Sequence, residues 1–228
     1  MGRVKMRPPM LLVVQNDPRV PLGTYADYLA EAGAPFRTIR PYAGEALPNP
    51  AGIGAVIVLG GAMGVNDVAK YPFLDGVKDF IADTVACKVP LLGICLGGQL
   101  LAHVLGAPVV CNSPWGEKGT LPVTLTVPGS ADPLFREIDR RFMTFQWHND
   151  SFAIPNGGEL LASSSTCPNQ AFRFGANATA PSFTPKSTVR SSKTGAVGPP
   201  KPWHAAEIFL LILLPVLLPI MQPPTACF

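Results

Sequence analysis

Short apolar runs alternate with amphipathic segments along the first half of the chain, and this alternation restricts the fold more than any other feature. Four runs have the length and residue types of strands: Met10–Val14, Phe36–Ile39, Ala55–Leu59 and Val89–Ile94. Three segments carry apolar residues at helical spacing: Pro21–Gly33, Tyr71–Cys87 and Gln99–Leu105. Because a helix that follows a strand returns the chain to the sheet through a right-handed crossover, the pattern predicts an α/β fold. We expect a mainly parallel central sheet flanked by helices.

The second half of the chain has a different pattern, because apolar and polar residues alternate there over shorter stretches. This alternation occurs in Leu121–Val127, Arg141–Trp147 and Leu160–Ser163, which are separated by turn-forming residues. A period of two indicates strands that are buried on one face only, as is common in antiparallel sheets. We therefore expect short, partly antiparallel strands added to the parallel sheet.

The composition excludes several classes of protein. Hydrophobic residues make up 47% of the 228 residues, which argues against a disordered chain, and a net charge of +3 is too small to predict a nucleic-acid binder. The five cysteines are odd in number, scattered and without a CxxC pair, as in a protein from a reducing compartment. No signal peptide is visible at the N-terminus. We therefore predict a cytoplasmic protein.

Charge and proline content divide the chain at Ala178. Residues 1–178 carry 14 basic and 14 acidic side chains, whereas residues 179–228 carry four basic side chains and one acidic side chain. The C-terminal part also holds a 14-residue apolar run, Ile208–Met221, which is shorter than the roughly 20 residues that a membrane-spanning helix needs. We predict an α/β domain over 1–178 that is incomplete at its C-terminus, and a Pro-rich, poorly ordered tail over 179–228. Attachment to a membrane or a partner through the apolar run is an alternative role for this tail.

The segment Gly93–Gln99, with the sequence GICLGGQ, carries the strongest chemical signal. A buried strand runs directly into Cys95 and a helix begins at once, with glycines two residues before and two residues after the cysteine. This turn is the cysteine version of the elbow that exposes the serine of hydrolases. We expect the N-terminus of the helix to favour the reactive thiolate. Cys87, Cys111 and Cys167 lack this context and are predicted to be structural.

Gly60 and Gly61 follow the neighbouring strand, at the same edge of the sheet as Cys95. Glycines at the carboxyl end of a parallel strand let backbone N–H groups approach a ligand. Together with the N–H groups at the start of the helix after Cys95, they can form an oxyanion hole, a set of donors that stabilises negative charge on a carbonyl oxygen.

Five segments resemble the class I glutamine amidotransferases, and most of all the stand-alone proteins similar to the glutaminase domain of GMP synthase. These segments are GGAMGVND, GICLGGQLLAHVLGA, DPLF, FQWHNDSF and CPNQAFRFG, and the resemblance spans about Leu11–Ala178. It implies a flavodoxin-like α/β fold and hydrolysis of glutamine to glutamate and ammonia through a γ-glutamyl thioester. It also implies glutamine or another γ-glutamyl compound as substrate, no cofactor, and a separate synthetase as the acceptor of the ammonia.

The resemblance assigns roles to individual residues. Cys95 corresponds to the nucleophile, and Gly61 and Leu96 correspond to the residues whose backbone N–H groups form the oxyanion hole. Gln99 corresponds to a side chain that helps to bind the substrate. The positions that hold the amino and carboxylate groups of glutamine fall in one loop: His148, Asn149, Asp150, Ser151 and Phe152.

The resemblance breaks down where the general base should lie. A cysteine in this role needs a histidine to shuttle a proton and an acid to orient that histidine, and the family supplies both from a His-Pro-Glu motif. By position, Thr184 replaces the histidine and Lys186 replaces the glutamate. Threonine cannot act as this base, and lysine reverses the charge that should lie beside it. We therefore expect catalysis to be impaired in the chain as written.

The loss of one base in the codon after Ala178 would explain this departure. Codons can be chosen for Pro181–Ser187 that encode Gln-Phe-His-Pro-Glu-Val when they are read two bases later. If a single T nucleotide is placed before suitable codons for Thr179 and Ala180, the shifted frame encodes Tyr-Gly there. The hypothesis is a frameshift after Ala178, which the nucleotide sequence around codon 179 tests. It also leads us to expect that a chain truncated at Ala178 resembles the stable body.

None of the remaining histidines is a strong substitute for the missing base. His103 lies on the helix after the elbow, His148 in the substrate loop and His204 in the tail. No histidine and cysteine cluster has metal-ligand spacing and no phosphate-binding loop is present, so neither a metal nor another cofactor is predicted. Two other functions stay open. One is a catalytically inactive domain that binds glutamine or a partner protein, and the other is a γ-glutamyl hydrolase that uses Cys95.

Overall fold

The structure is a computed structural model that describes residues 10–23, 25–135 and 138–183. This part of the chain begins as an alternation of strands and helices and ends mainly as a series of strands. Its elements are, in chain order, β1 (Leu11–Val14), α1 (Tyr25–Glu31), β2 (Phe36–Ile39), β3 (Ala55–Val58), α2 (Phe73–Ala86), β4 (Leu91–Gly93), α3 (Leu96–Val104), β5 (Val109–Val110), β6 (Glu117–Leu125), α4 (Val127–Ala131), β7 (Arg141–His148), β8 (Ser151–Phe152), β9 (Gly158–Ser163), β10 (Ala171–Phe174) and β11 (Ala178–Pro181). None of the helices in these ranges is long and apolar enough to cross a membrane. Thr184, Lys186, His204 and the apolar run of the predicted tail lie outside the described residues.

A nine-stranded sheet forms the centre of the fold, in the order β2-β1-β3-β4-β11-β10-β9-β6-β7. The first five strands of this order pair in parallel. β1 and β3 are buried along their whole length, which explains why their sequences are continuous apolar runs without alternation. The predicted α/β fold, with a parallel sheet at its centre, is confirmed.

The other half of the sheet is antiparallel, as its alternating sequences predict. The pairs β11–β10, β10–β9, β9–β6 and β6–β7 all run in opposite directions. In β7, Phe142, Thr144, Gln146 and His148 are buried, while the residues between them are exposed or half-buried. The prediction of added antiparallel strands is therefore confirmed.

Two hydrophobic cores cover opposite faces of the parallel strands. Leu11 and Val13 of β1 belong to the core that holds Leu29 of α1, whereas Leu12 and Val14 belong to the core that holds side chains of α2 and α3. Successive side chains of a strand point to opposite faces of a sheet, so β1 contributes to both cores. Packing on both faces holds the carboxyl ends of β1, β3, β4 and β11 at one edge of the sheet.

Several predicted boundaries are wrong by a few residues. The helix predicted over Pro21–Gly33 covers only Tyr25–Glu31, because Gly23 has a φ of 61°, a left-handed conformation that interrupts a helix. Other predicted elements also differ at their ends from the elements that the structure shows. The observed ranges are Ala55–Val58, Phe73–Ala86, Leu91–Gly93, Leu96–Val104, Glu117–Leu125 and Gly158–Ser163. Differences of this size are expected where a strand or helix frays at its end.

The sequence analysis missed α4 and the short strands β5, β8, β10 and β11. The hydroxyl of Thr126 accepts the Gly129 N–H at 3.0 Å and caps α4, so Val127 starts a helix instead of ending a strand. The missed strands have two to four residues each, which is too few for a period of two to be recognised in a sequence.

The last described strand, β11, crosses the predicted domain boundary at Ala178. Ala178 and Thr179 pair in parallel with Leu91 and Leu92 of β4, near the middle of the sheet. Phe183, which follows β11, is only 1% exposed and belongs to one of the two cores. The part of the predicted tail up to Phe183 is therefore part of the sheet and the core in this structure.

Candidate active site

Cys95 lies in a strained turn between β4 and α3. Its backbone has a φ of 53° and a ψ of −112°, a conformation that residues with a side chain rarely adopt. The Cys95 N–H donates to the Pro181 carbonyl at 3.0 Å, and α3 begins at Leu96. The structure therefore has the strand–cysteine–helix turn that the sequence predicts, and the end of β11 holds it from one side.

Gly93 and Gly97 make this turn possible, because each lies against backbone that leaves no room for a side chain. A Cβ on Gly97 would lie 2.1 Å from the Val58 carbonyl oxygen, and a Cβ on Gly93 would lie 2.5 Å from the Gly97 carbonyl oxygen. The start of α3 therefore packs directly on the ends of β3 and β4. This close approach explains the glycines that flank the cysteine in the sequence.

The glycine loop, residues 59–62 after β3, lies beside Cys95. A Cβ built on Gly60 would be 3.4 Å from Cys95 Cβ and 3.8 Å from its Sγ, and a Cβ on Gly61 would be 3.1 Å from Leu96 Cδ2. The Leu96 N–H is directed at the Cys95 sulfur. Within the described ranges, no hydrogen bond uses the Gly61 N–H. The structure thus brings the predicted oxyanion-hole residues Gly61 and Leu96 next to the predicted nucleophile.

The thiol of Cys95 is neutral at pH 7, which corrects the expectation of a thiolate. Burial raises its pKa to about 11, the Leu96 N–H lowers it, and the negative charge of Asp150 raises it. The N-terminus of α3 therefore acts in the expected direction, but burial outweighs it. The residue as a whole is half-buried.

The other described cysteines differ in exposure, although the sequence analysis treated them alike. Cys167 is buried, and its thiol contacts the Asn169 carbonyl oxygen at 3.5 Å. Cys87 and Cys111 are exposed, and their structural role stays a prediction. Together with the His, Asp and Glu side chains of the described ranges, these cysteines form no group of three that could hold a metal ion.

The loop after β7 connects the predicted substrate-binding residues to the elbow. The Asp150 carbonyl oxygen accepts hydrogen bonds from His148 Nδ1 at 3.0 Å and from Gln99 Nε2 at 3.5 Å. The Asp150 carboxylate accepts the Asn112 N–H at 2.9 Å, and its charge acts on the sulfur of Cys95. The structure therefore brings Gln99, His148 and Asp150 together, with Asp150 within electrostatic range of Cys95.

Asn149, Ser151 and Phe152 stabilise this loop. The Asn149 carbonyl accepts the Ser113 N–H at 2.8 Å, and the Ser151 hydroxyl donates to the Ser113 hydroxyl at 2.8 Å. Phe152 is 2% exposed and packs edge-on against Phe172. Because these groups are already engaged within the protein, they support the loop, and their contact with substrate stays a prediction.

His148 has one bonded and one unbonded ring nitrogen. Because Nδ1 donates to a carbonyl and burial lowers the pKa of the ring, the imidazole is neutral with its proton on Nδ1. Nε2 is buried and has no hydrogen-bond partner in the part of the chain that the structure describes. His148 therefore has the protonation state of a base, but no hydrogen bond of these residues links it to Cys95.

A chain of buried polar groups holds the end of β11. The Ser182 N–H donates to the Gln170 carbonyl at 2.8 Å, and the Ser182 hydroxyl contacts the Gln170 side chain. Gln170 Nε2 donates to the Glu117 carboxylate at 2.5 Å. Phe183 follows in the core. These contacts fix the end of the described chain, directly before Thr184, which lies outside the described residues.

Sequence reasoning missed four buried polar residues around the site: Asn16, Asp17, Glu117 and Gln170, none of which is more than 4% exposed. A signal for Asn16 and Asp17 is present in the sequence, because they follow β1 after a single residue and so lie at the same edge of the sheet as Gly61. Glu117 and Gln170 are 53 positions apart, and no local pattern of the sequence joins them.

The described fold combines a half-parallel sheet with a cysteine in a strand–helix turn beside a glycine loop. The chain belongs to the class I glutamine amidotransferase family, whose profile, described as "Glutamine amidotransferase class-I", matches residues 24–180.

Several curated proteins are similar to this chain over part of their length. The chain is 34% identical over 157 residues to the glutamine amidotransferase-like protein YfeJ of Salmonella typhimurium, a match that covers 67% of this chain and 65% of YfeJ. It is 34% identical over 125 residues to the GMP synthase of Christiangramia forsetii, which covers 54% of this chain and 22% of that enzyme. The chain therefore spans less than two thirds of the length of these relatives.

Solved structures share the fold. A glutamine amidotransferase of Thermotoga maritima has a TM-score of 0.73 and 32% sequence identity, over 79% of this chain and 77% of that chain. A glutamine amidotransferase of Methylobacillus flagellatus has a TM-score of 0.72 and 28% identity, over 80% and 72% of the two chains. The predicted fold class is thus confirmed as that of the class I glutamine amidotransferases.

Proposed function

We propose that this protein is a glutaminase-type amidotransferase in which Cys95 attacks the side-chain amide of glutamine. The observation that carries the proposal is the position of Gly61 and Leu96 beside a cysteine that is held at a φ of 53° at the sheet edge. In such an arrangement the sulfur can reach a carbonyl carbon while two backbone N–H groups donate to the carbonyl oxygen. The γ-carboxamide of glutamine presents both atoms.

The proposed reaction has two halves. In the first, Cys95 Sγ bonds to the amide carbon, the N–H groups of Gly61 and Leu96 stabilise the oxyanion, and the C–N bond breaks. The thiol proton leaves with the nitrogen as ammonia, and a γ-glutamyl thioester remains. In the second half, water attacks the thioester, glutamate is released and the thiol is restored. Neither half needs a cofactor.

The proton transfers of this scheme are the step that the chain supports poorly. Thr184 and Lys186 stand where the family has its histidine and glutamate, and the pKa of Cys95 is raised to about 11. A neutral thiol without a base is a poor nucleophile. We therefore propose that turnover of this chain is impaired, and that a frameshift after Ala178 is the cause.

The test compares the full chain with a frame-restored chain that has Gln-Phe-His-Pro-Glu at positions 182–186. With glutamine in excess, release of glutamate and ammonia by the restored chain should exceed that of the chain as written by about 10²–10⁴-fold, the usual contribution of general acid–base catalysis. Cys95→Ala should abolish the activity of the restored chain. If the restored chain releases no ammonia, the proposed function is wrong.

A second candidate is a domain that binds glutamine without hydrolysing it, and the raised pKa of Cys95 favours it. Calorimetric binding of glutamine to the full chain, with no glutamate formed, would support this function. Turnover by the full chain that Cys95→Ala abolishes would exclude it.

The substrate and the partner are part of the proposal. Assays with other γ-glutamyl amides separate a glutaminase from a γ-glutamyl hydrolase that uses the same cysteine. If ammonia is transferred, we propose that its acceptor site lies on a separate synthetase chain. The name of the related GMP synthase suggests such a partner, and co-purification with a synthetase would test it.

A further inference from the structure

Two residues that follow β1 hold both ends of the glycine loop. Asn16 Nδ2 donates to the Leu59 carbonyl oxygen at 2.7 Å. Asp17 Oδ2 accepts the Ala62 N–H at 3.1 Å. The first bond fixes the peptide plane between residues 59 and 60, and the second fixes the plane between residues 61 and 62. The plane that carries the Gly61 N–H lies between these two anchored planes.

The anchor at Asp17 is itself rigid. Its Oδ1 accepts the Arg19 backbone N–H at 2.9 Å and Arg19 Nε at 3.0 Å, and its Oδ2 accepts Arg19 Nη2 at 2.7 Å. The side chain of Asp17 is only 2% exposed, whereas that of Arg19 is 74% exposed. These bonds lower the pKa of Asp17 to about 2, so the carboxylate is ionised at every pH at which the protein is assayed.

We propose that Asp17 is a positioning residue that fixes the Gly61 N–H for transition-state stabilisation at Cys95. The inference rests on the proposed function, because it assumes that an oxyanion forms beside the sulfur.

The physical reason is the freedom of two adjacent glycines. Gly60 and Gly61 have no side chains, so the peptide plane between them can rotate at little steric cost. A donor stabilises an oxyanion only if it already points at the oxygen when charge develops. The hydrogen bonds to the Leu59 carbonyl and the Ala62 N–H hold the peptide planes before and after this one, and so limit its rotation. Arg19 neutralises the Asp17 carboxylate, whose charge would otherwise oppose an oxyanion nearby.

The test uses two electrophiles that react with the same sulfur in the full chain. The first is the diazo ketone analogue of L-glutamine, which has a CHN₂ group in place of the amide NH₂. Its diazo carbon bonds to Cys95 Sγ, N₂ leaves, and the thiol proton ends on that carbon, which becomes a methylene group, while the ketone oxygen is activated by the donors of the oxyanion hole. The second is iodoacetamide, whose iodide is displaced directly and whose carbonyl needs no such donors. Mass spectrometry of the Cys95 peptide measures both rates.

Asp17→Ala should lower the diazo ketone rate relative to the iodoacetamide rate by about tenfold or more. This decrease in the rate ratio should be smaller than the decrease of about 10²–10³-fold that follows complete removal of an oxyanion-hole donor. Asp17→Asn should restore most of the ratio, because an amide oxygen can accept the Ala62 N–H. Asp79→Ala, which removes an exposed aspartate of α2, is the matched control and should leave the ratio unchanged.

The possible failures are distinguishable. If Asp17→Ala slows both reagents equally, or neither, the positioning role is wrong while the proposed function stands. If the unsubstituted chain reacts with iodoacetamide but forms no diazo ketone adduct, no oxyanion-hole contribution operates at Cys95 and this inference is wrong, whereas the proposed function is judged separately by ammonia release from the frame-restored chain.

A measurement without any substitution covers the case in which Asp17→Ala does not fold. Amide hydrogen exchange by NMR in the full chain should show the Ala62 N–H exchanging at least about tenfold more slowly than the Gly61 N–H, relative to their intrinsic rates. This difference is expected because Ala62 donates to a buried carboxylate and the Gly61 N–H has no acceptor within the described residues. Equal protection of the two amides would show that the anchor does not hold the loop.

Discussion

The reactivity of Cys95 depends on two opposing effects at one atom. The Leu96 N–H at the start of α3 stabilises the thiolate, and removal of the sulfur from water destabilises it. The second effect is larger, because a single backbone N–H replaces only part of the hydration of an anion. A positive neighbour would favour the thiolate in a site of this kind. At this scale, burial therefore outweighs the N-terminus of α3 in setting the protonation of Cys95.

The first prediction concerns the pH dependence of Cys95 alkylation. In the full chain, the rate of its reaction with iodoacetamide should rise about tenfold per pH unit from pH 7 to 9 without a plateau, since only the thiolate reacts and the pKa is about 11. Site-resolved mass spectrometry measures this rate. The same cysteine in urea-unfolded chain is the control and should level off near its ordinary pKa. A plateau below pH 9 in the folded protein would contradict the prediction.

The raised pKa also sets the sign of a stability effect. The folded state keeps the proton of Cys95 to higher pH than the unfolded state does. The contribution of this thiol to stability is therefore present below the ordinary pKa of 9.0 and is lost as the pH rises toward about 11.

The second prediction tests the close approach at the elbow. Gly97→Ala should reduce the free energy of unfolding by about 2–3 kcal/mol, because the new methyl group overlaps the Val58 carbonyl. Gly76→Ala in α2 is the matched control, since it faces open space and should stabilise the protein by about 0.5–1 kcal/mol through helix propensity. Urea unfolding measures both changes. Equal stability of the two variants would show that α3 is not packed on β3 as described.

At the scale of elements, the position of β11 links the sheet to the active site. β11 pairs with β4 on one side and β10 on the other, and its Pro181 carbonyl accepts the N–H of Cys95. The Glu117–Gln170–Ser182 chain then fixes the residues directly after the strand. The described chain is thus anchored up to Phe183, close to Cys95.

The third prediction concerns this chain of polar groups. Gln170→Ala should lower the free energy of unfolding by about 1–3 kcal/mol, because it leaves the buried Glu117 carboxylate without its Gln170 donor and removes the side-chain partner of Ser182. Asn156→Ala removes an exposed amide of a turn and should change stability by less than about 0.5 kcal/mol. Both are measured by urea unfolding. If the two substitutions cost the same, the buried chain does not stabilise the end of β11.

At the scale of the whole molecule, the described fold includes more of the chain than composition suggests. The change in charge and proline content falls at Ala178, where β11 begins. Yet β11 lies near the middle of the sheet, and Phe183 contacts the rings of Phe135 and Phe142 in the core. A fold can accept changed residues at such positions when the backbone pairing and the apolar side chain are kept.

The fourth prediction separates the two possible ends of the folded body. A chain ending at Phe183 should unfold cooperatively, with a midpoint close to that of the full chain. A chain ending at Ala178 should lose cooperative unfolding, because it lacks β11 and exposes the pairing edges of β4 and β10. Thermal unfolding followed by circular dichroism measures both. A stable chain ending at Ala178 would instead support the boundary that the sequence suggests.

The sequence by itself determined the α/β class, the elbow at Cys95 and the family, because each depends on local order along the chain. An apolar run that ends in a cysteine between glycines has few structural solutions, and it is fully visible within the seven residues of GICLGGQ. The strand–cysteine–helix turn and its flanking glycines could therefore be identified from the sequence alone. The order of the strands and the short antiparallel strands could not be identified, because pairing between distant segments leaves no local pattern.

Only the tertiary structure decided the protonation of Cys95, the place of β11 and the residues that hold the glycine loop. The pKa of a thiol depends on how much water the fold removes from it, and burial is a property of the packed molecule. The Asp17–Ala62 bond joins residues 45 positions apart and the Gln170–Glu117 bond joins residues 53 positions apart. Such contacts arise from the way strands are brought to one edge of the sheet, so they become visible only when the chain is folded.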